Sequence, residues 1–273
     1  MIKKVAAIHD LSGIGRCSLS VAITTLSALG LQVCPMPTAI LSNQTGFSSF
    51  SFLDFTPYIE DYMKEWKKIG YHFDCIYSGF LGSSKQVDQM KQFVEFFKEE
   101  GTLVVVDPVM GDEGQLYTTY DESYIGKMRE LISYADVITP NYTEFLLLLG
   151  QSQKELTEEE IYKGAKELTK LGPTRIVVTG RIEENRVYNY GFDAITEESF
   201  KVIIPFNQKS YSGTGDLMAS IVSGMLTKEF TLEEAVKKAA DFIWKAVVYT
   251  EETGIRPEEG IVFEHYLEEL IQL

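Results

Sequence analysis

Short, almost continuously apolar runs alternate along this chain with stretches whose apolar residues recur at helical spacing. The runs fall at 5–8, 75–78, 103–106, 137–139 and 176–179. Between them lie Phe55, Ile59, Tyr62, Trp66 and Ile69, then Val87, Met90, Val94 and Phe97, and later Ile161, Ala165, Leu168 and Leu171. A strand apolar on both faces must be covered on both faces, and helices at this spacing supply the cover. The pattern predicts an α/β fold with a mostly parallel central sheet flanked by helices on both faces. Two further strands, at 186–191 and 200–205, read as an antiparallel appendage near one edge. Helices at 214–227, 232–249 and 258–273 close the chain. No repeat, low-complexity tract or Pro/Gly/Ser linker divides it, so residues 1–273 read as a single domain, a length at which one core can still form.

Forty acidic against 25 basic residues give a net charge of −15. No basic field exists to collect the phosphates of a nucleic acid or an anionic membrane. A polyanion bound here would need backbone N–H groups, a few placed side chains and a metal ion. Cys17, Cys34 and Cys75 are scattered without CxxC spacing, which fits reduced thiols better than disulfides or a zinc site. The first ten residues begin like a signal peptide, but their apolar stretch stops at His9-Asp10. With no membrane-length apolar run, the expected location is the cytoplasm.

In a parallel α/β sheet, ligands bind beyond the carboxyl ends of the strands. The segments that follow these runs, at 9–15, 78–80, 107–112, 139–141 and 179–180, are polar and glycine-rich. Several chemistries are absent. Gly13-Ile14-Gly15 and Gly213-Thr214-Gly215 lack the third glycine of a dinucleotide fingerprint, and neither GxxxxGK[ST] nor GxSxG occurs. His9, His72 and His265 stand apart without metal-ligand spacing and read as structural or surface residues.

Three segments carry chemistry. In Ser212-Gly213-Thr214-Gly215-Asp216, two glycines permit a sharp turn and a close approach to a ligand. The apolar pattern of Leu217, Ile221 and Met225 starts a helix there, whose N-terminal amides form an anion site without a lysine. Asp216 beside it is either a helix cap or a general base for a phosphoryl acceptor. Asp107 ends a buried strand, where a carboxylate needs a cation or another partner. Gly111, Gly114 and Tyr117 downstream read as a flexible loop able to close over a ligand, or else Asp107-Pro108 is a plain turn. Asn141 and Glu144 have the spacing of a capping box. Glu144 would also lie near Asp107, where two hard carboxylates could hold Mg²⁺.

Taken in order, these segments resemble the ribokinase superfamily of small-molecule kinases, and within it the pyridoxal/pyridoxamine (vitamin B6) kinases. The resemblance covers nearly the whole chain. It is carried by Ser42-Asn43-Gln44-Thr45-Gly46, Asp107-Pro108-Val109-Met110-Gly111-Asp112, Thr139-Pro140-Asn141-Tyr142-Thr143-Glu144, Val178-Thr179-Gly180 and Gly213-Thr214-Gly215-Asp216. It implies ATP, Mg²⁺, a monovalent cation (K⁺ or Na⁺) and a homodimer. Asp216 would be the catalytic base, with Gly213, Thr214 and Gly215 as the anion hole. Asp107 and Glu144 would position Mg²⁺, largely through water. Thr139 and Thr179 would lie near the nucleotide phosphates and the monovalent cation, with Asn141 also on the ATP side. Asp112 to Tyr117 would cover the reacting groups, and Asp10, Ser12, Thr45 and Phe80 would face the vitamin.

One position departs from the pattern. Many pyridoxal kinases have serine where this chain has Asp10, whereas hydroxymethylpyrimidine kinases of the superfamily carry aspartate there. The resemblance thus implies phosphorylation of the 5′-hydroxymethyl group of pyridoxal, pyridoxine or pyridoxamine. The alternatives are a hydroxymethylpyrimidine kinase and a catalytically silent ligand-binding relative.

Overall fold

The computed structural model describes residues 2–151 and 154–273. In chain order the elements are β1 (Lys4–Ser12), α1 (Ser18–Ala28), β2 (Gln32–Leu41), β3 (Phe52–Asp54), α2 (Thr56–Lys68), β4 (Cys75–Ser78), α3 (Ser84–Phe97), β5 (Leu103–Val106), β6 (Gly111–Asp112), β7 (Gln115–Leu116), α4 (Glu122–Ile132), β8 (Val137–Ile138), α5 (Tyr142–Leu149) and α6 (Glu158–Thr169). There follow β9 (Arg175–Glu183), β10 (Arg186–Asp193), β11 (Glu198–Pro205), α7 (Thr214–Thr227), α8 (Leu232–Thr253) and α9 (Glu268–Ile271).

Nine strands form one sheet in the order β11-β10-β9-β8-β5-β4-β1-β2-β3. The six from β9 to β2 run parallel; β3 at one edge and β10-β11 at the other are antiparallel. Successive residues of each central strand point to opposite faces, and this divides the interior in two. Val5, Ala7, Cys75, Tyr77 and Val105 pack with α1, α7 and α8. Ala6, Ile8, Ile76, Val104 and Val106 pack with α2 to α6. The expected central sheet, its two covers and its antiparallel edge are all present.

One strand had no expectation, and one expectation needs correction. The strand β2 is not evident in the sequence, because Pro35 and Pro37 lie inside it. Gln32 N–H donates to Lys3 O at 2.9 Å, so the prolines, an odd number of residues on, turn their missing donors away from β1. That side is open until β3 begins to pair at Ala39, which is where proline is tolerated in a sheet. The expected helix over 258–273 is instead two short 3₁₀ turns, Pro257–Glu259 and Glu264–Tyr266, followed by the single turn of α9. Gly260 breaks it: its φ is +78°, and a Cβ there would lie 2.7 Å from Arg16 O. The break turns Ile261 and Phe263 into the core.

Candidate active site

The carboxyl ends of the parallel strands open into a cleft of about 980 Å³. Asp10, Ser12, Thr45, Phe80, Asp107, Asp112, Tyr117, Thr139, Asn141, Glu144, Thr179 and the Gly213–Asp216 turn all lie on its wall. These positions span most of the chain, and the parallel topology brings them to one edge. Among the described residues no lysine or arginine lines the cleft.

At its floor, Gly213 precedes α7 with φ +84°, and a Cβ there would lie 1.9 Å from Arg16 O. Only glycine fits this position, both in φ and in space. It makes no side-chain cap, so the first amides of the fourteen-residue α7 keep their orphan donors for an anion. Asp216, in that first turn, sends its carboxylate backward. Its Oδ2 accepts from Ser18 N–H at 2.8 Å, and its Oδ1 lies 2.9 Å from His9 Nε2. Asp216 therefore does not cap its own helix.

His9 was expected to be a structural or surface residue. It is 2 % exposed, stands in the second half of β1 and lines the cleft. Its Nδ1 lies 2.9 Å from Asp10 Oδ1, so the ring bridges two carboxylates. Burial opposes its charge, but the bonds to Asp10 and Asp216 outweigh this and raise its pKa to about 10. Burial likewise works against the charge of Asp10, yet His9, Ser18 and Ser12 together hold its carboxyl below the usual range. Ser12 Oγ donates to Asp10 Oδ2 at 3.1 Å. A histidine beside an aspartate at the carboxyl end of a buried strand was the available signal for this residue. His72, by contrast, pairs with Glu99 on the surface, and His265 stacks on Tyr249.

Two more cleft residues had no sequence signal. Cys17 sits beside the carboxylates, but burial, then Asp216 and Asp10, push its thiol up to about 12, so it is no nucleophile at neutral pH. Asn189 on β10 is buried, and its Nδ2 donor has no partner among the described residues.

Asp107 and Glu144 are both buried. Burial raises the pKa of each; Glu144 is raised further by Asp107, and Asp107 further by Asp216. Acids held this way gain from a cation, and their hard oxygens suit Mg²⁺. Glu144 nonetheless also completes the capping box of α5. Its Oε2 accepts from Asn141 N–H at 2.8 Å and its Oε1 from Met110 N–H at 2.9 Å. With both oxygens so engaged, it fits a role through water better than direct coordination. Among the described residues no group of three His, Cys, Asp or Glu side chains forms a metal cage; Mg²⁺ more often keeps several waters than enters one. Thr139 Oγ1 donates to Asp107 Oδ1 at 3.1 Å, and Thr179 pairs across an isolated bridge with Asn141.

The segment read as a flexible loop is a tight hairpin. β6 and β7 are joined by Glu113 and Gly114, with φ of +50° and +80°, the signs a two-residue primed turn requires. Gly111 packs where a Cβ would lie 2.2 Å from Gln115 O. The glycines therefore serve the hairpin itself, which carries Asp112 and Tyr117 over the cleft.

A turn that offers helix amides to an anion, with a carboxylate beside it and paired acids across the cleft, defines a small-molecule kinase site on a ribokinase-like fold. The profile of the phosphomethylpyrimidine kinase family matches residues 19–261, and the chain belongs to that family of phosphotransferases. A Bacteroides thetaiotaomicron crystal structure, of a protein provisionally named a phosphomethylpyrimidine kinase and solved with pyridoxal, is 40% identical with a TM-score of 0.95. It matches over 99% of this chain and 96% of its own. Pyridoxal kinase from Lactobacillus plantarum is 28% identical with a TM-score of 0.91, over 100% and 98% of the two chains. Pyridoxal kinase of Dictyostelium discoideum is 26% identical over 90% of this chain and 86% of its own. Among the described residues no helix is long and apolar enough to cross a membrane.

Proposed function

We propose that this protein transfers the γ-phosphoryl group of ATP to the 5′-hydroxymethyl group of pyridoxal, pyridoxine or pyridoxamine. The observation that carries this reading is the setting of Asp216. It stands in the first turn of α7, whose amides keep their orphan donors, inside the same cleft as Asp10, Ser12 and Phe80. Thr45 and Phe80 line the same cleft, and Phe80 stands 6.3 Å from the Tyr120 ring, centroid to centroid.

Phosphoryl transfer asks a protein mainly for positioning and charge stabilisation. Asp216 accepts the proton of the acceptor hydroxyl as the oxygen attacks phosphorus. The Gly213–Gly215 amides meet the charge on the transferring group. Thr139, Asn141 and Thr179 bind on the nucleotide side, where Thr139 and Thr179 also suit a monovalent cation, and Asp112 and Tyr117 exclude water from above. Asp107 and Glu144 would hold Mg²⁺, largely through water; when bound, Mg²⁺ would neutralise phosphate charge and orient the transferring group. A cleft with no lysine or arginine binds a polyanion by these means alone. The whole chain works as one domain in the cytoplasm, as a homodimer, with neither nucleic acid nor a membrane as partner.

Asp10 favours a second reading, since aspartate at this position suits a hydroxymethylpyrimidine as well as a pyridoxamine amine. Steady-state kinetics across pyridoxal, pyridoxine, pyridoxamine and hydroxymethylpyrimidine test both. Turnover restricted to hydroxymethylpyrimidine selects the second, and no turnover with any of them leaves a silent binding relative.

A further inference from the structure

Resting on the kinase reading above, we propose that His9 is a positioning residue that ties the base Asp216 to the substrate-facing Asp10, so that the two carboxylates are presented as one rigid unit. The two acids come from opposite ends of the chain, on β1 and α7, and His9 is the side chain that touches both, at 2.9 Å on either ring nitrogen. The fold makes room for it. A Cβ on Gly79 would lie 2.0 Å from the ring, so glycine just after β4 is what leaves room for the imidazole. Ser18 N–H takes the other Asp216 oxygen at 2.8 Å, and Ser12 takes the other Asp10 oxygen at 3.1 Å. Both carboxylates share His9, and Ser18, whose amide takes Asp216, also reaches Asp10 with its hydroxyl; the His9 ring is the charged link between them.

One feature of the geometry competes with this. Nδ1 also lies 3.0 Å from the Asp10 amide and 3.2 Å from the Phe80 amide. Those amides would need a bare nitrogen, whereas the Asp10 carboxylate needs a protonated one. The carboxylate contact is the shorter and is charge-assisted, so it governs the ring. The groups facing His9 are Asp10 and Asp216, with Asp107 more distant and the Cys17 thiol neutral.

Two measurements on the full-length protein test the tie. In ¹⁵N-detected imidazole spectra at pH 7.5, both His9 nitrogens should be protonated, identified by loss of the signals in His9→Gln. A single protonated nitrogen means the ring cannot hold both acids and overturns the proposal. The second is a kinetic double-mutant cycle. His9→Gln, and independently Gly79→Ala, which displaces the ring without altering it, should each lower kcat about tenfold or more, with KM for ATP changed by less than about threefold. Placed on Asp216→Asn, His9→Gln should change the remaining kcat by less than about twofold, because its partner is already gone. Losses that multiply show that His9 acts independently of the base, and they sink the proposal. If the wild-type protein phosphorylates neither a vitamer nor hydroxymethylpyrimidine, the kinase reading fails, and the wild-type spectra still decide whether His9 bridges the acids.

Discussion

Replacing Asp216 with asparagine separates the base from the scaffold. Asparagine is nearly isosteric, and its amide oxygen can accept from Ser18 N–H, which now bonds Oδ2 at 2.8 Å. The contact to His9 Nε2 at 2.9 Å becomes a neutral pairing in place of a charged one. A hydrogen bond to a charged group contributes about 1.5–3 kcal/mol and a neutral one about 0.5–1.5, so the stability cost is about 1 kcal/mol. For a chain of this size that is a fall in Tm of roughly 2–4 °C. The catalytic cost is larger. Asparagine cannot take the acceptor's proton, and general-base catalysis supplies roughly 10²–10⁴-fold. Initial rates of ADP formation with pyridoxal, pyridoxine and pyridoxamine would give kcat. Calorimetric titration would give the ATP affinity, expected to persist because the Gly213–Gly215 amides are untouched. Near-normal kcat together with a Tm loss well beyond this range would refute the reasoning and leave Asp216 as scaffold for Ser18 and His9.

Glu144→Gln should raise the Mg²⁺ concentration needed for half-maximal rate and also lower Tm, because the single amide oxygen can accept from Asn141 N–H or Met110 N–H but not both; an unmoved Mg²⁺ titration would reduce Glu144 to its cap. Asp10→Ser should alter the ratio of kcat/KM among the vitamers by about ten-fold or more, the scale of one charge-assisted contact, with little change in KM for ATP; uniform losses would show that it only supports β1. Gly213→Ala should abolish turnover and lower Tm, since a Cβ 1.9 Å from Arg16 O must shift the turn that carries the amides; normal kinetics would remove the turn from the mechanism. His9, raised from 6.5 to about 10 in the fold, favours the protonated state when native. Its contribution to stability is full below about pH 6.5 and is lost as pH rises toward 10, so urea unfolding from pH 6 to 10 should show a fall that His9→Gln flattens.

The sequence by itself determined the layers, because a strand apolar on both faces admits few other solutions. It also marked the site positions that rest on local chemistry. Gly213-Thr214-Gly215 reads as a sharp turn into a helix, the Asn141–Glu144 spacing is a cap at any helix start, and Asp107 is an expensive carboxylate at a strand end. What it left hidden depends on neighbours far along the chain. Pro35 and Pro37 argue against a strand until the open side of β2 is known. Gly260 ends a well-patterned helix only because Arg16 crosses it. Gly111 and Gly114 read as flexibility until Gln115 and Thr143 are seen against them. His9 is the clearest case. Alone it is a histidine in an apolar strand beside Asp10; its charge rests on Asp10 and also on Asp216, which the fold brings from more than two hundred residues away to 2.9 Å from its ring. Apolar periodicity is a local property and survives in the sequence, whereas the partner that sets a buried group's charge is a tertiary one.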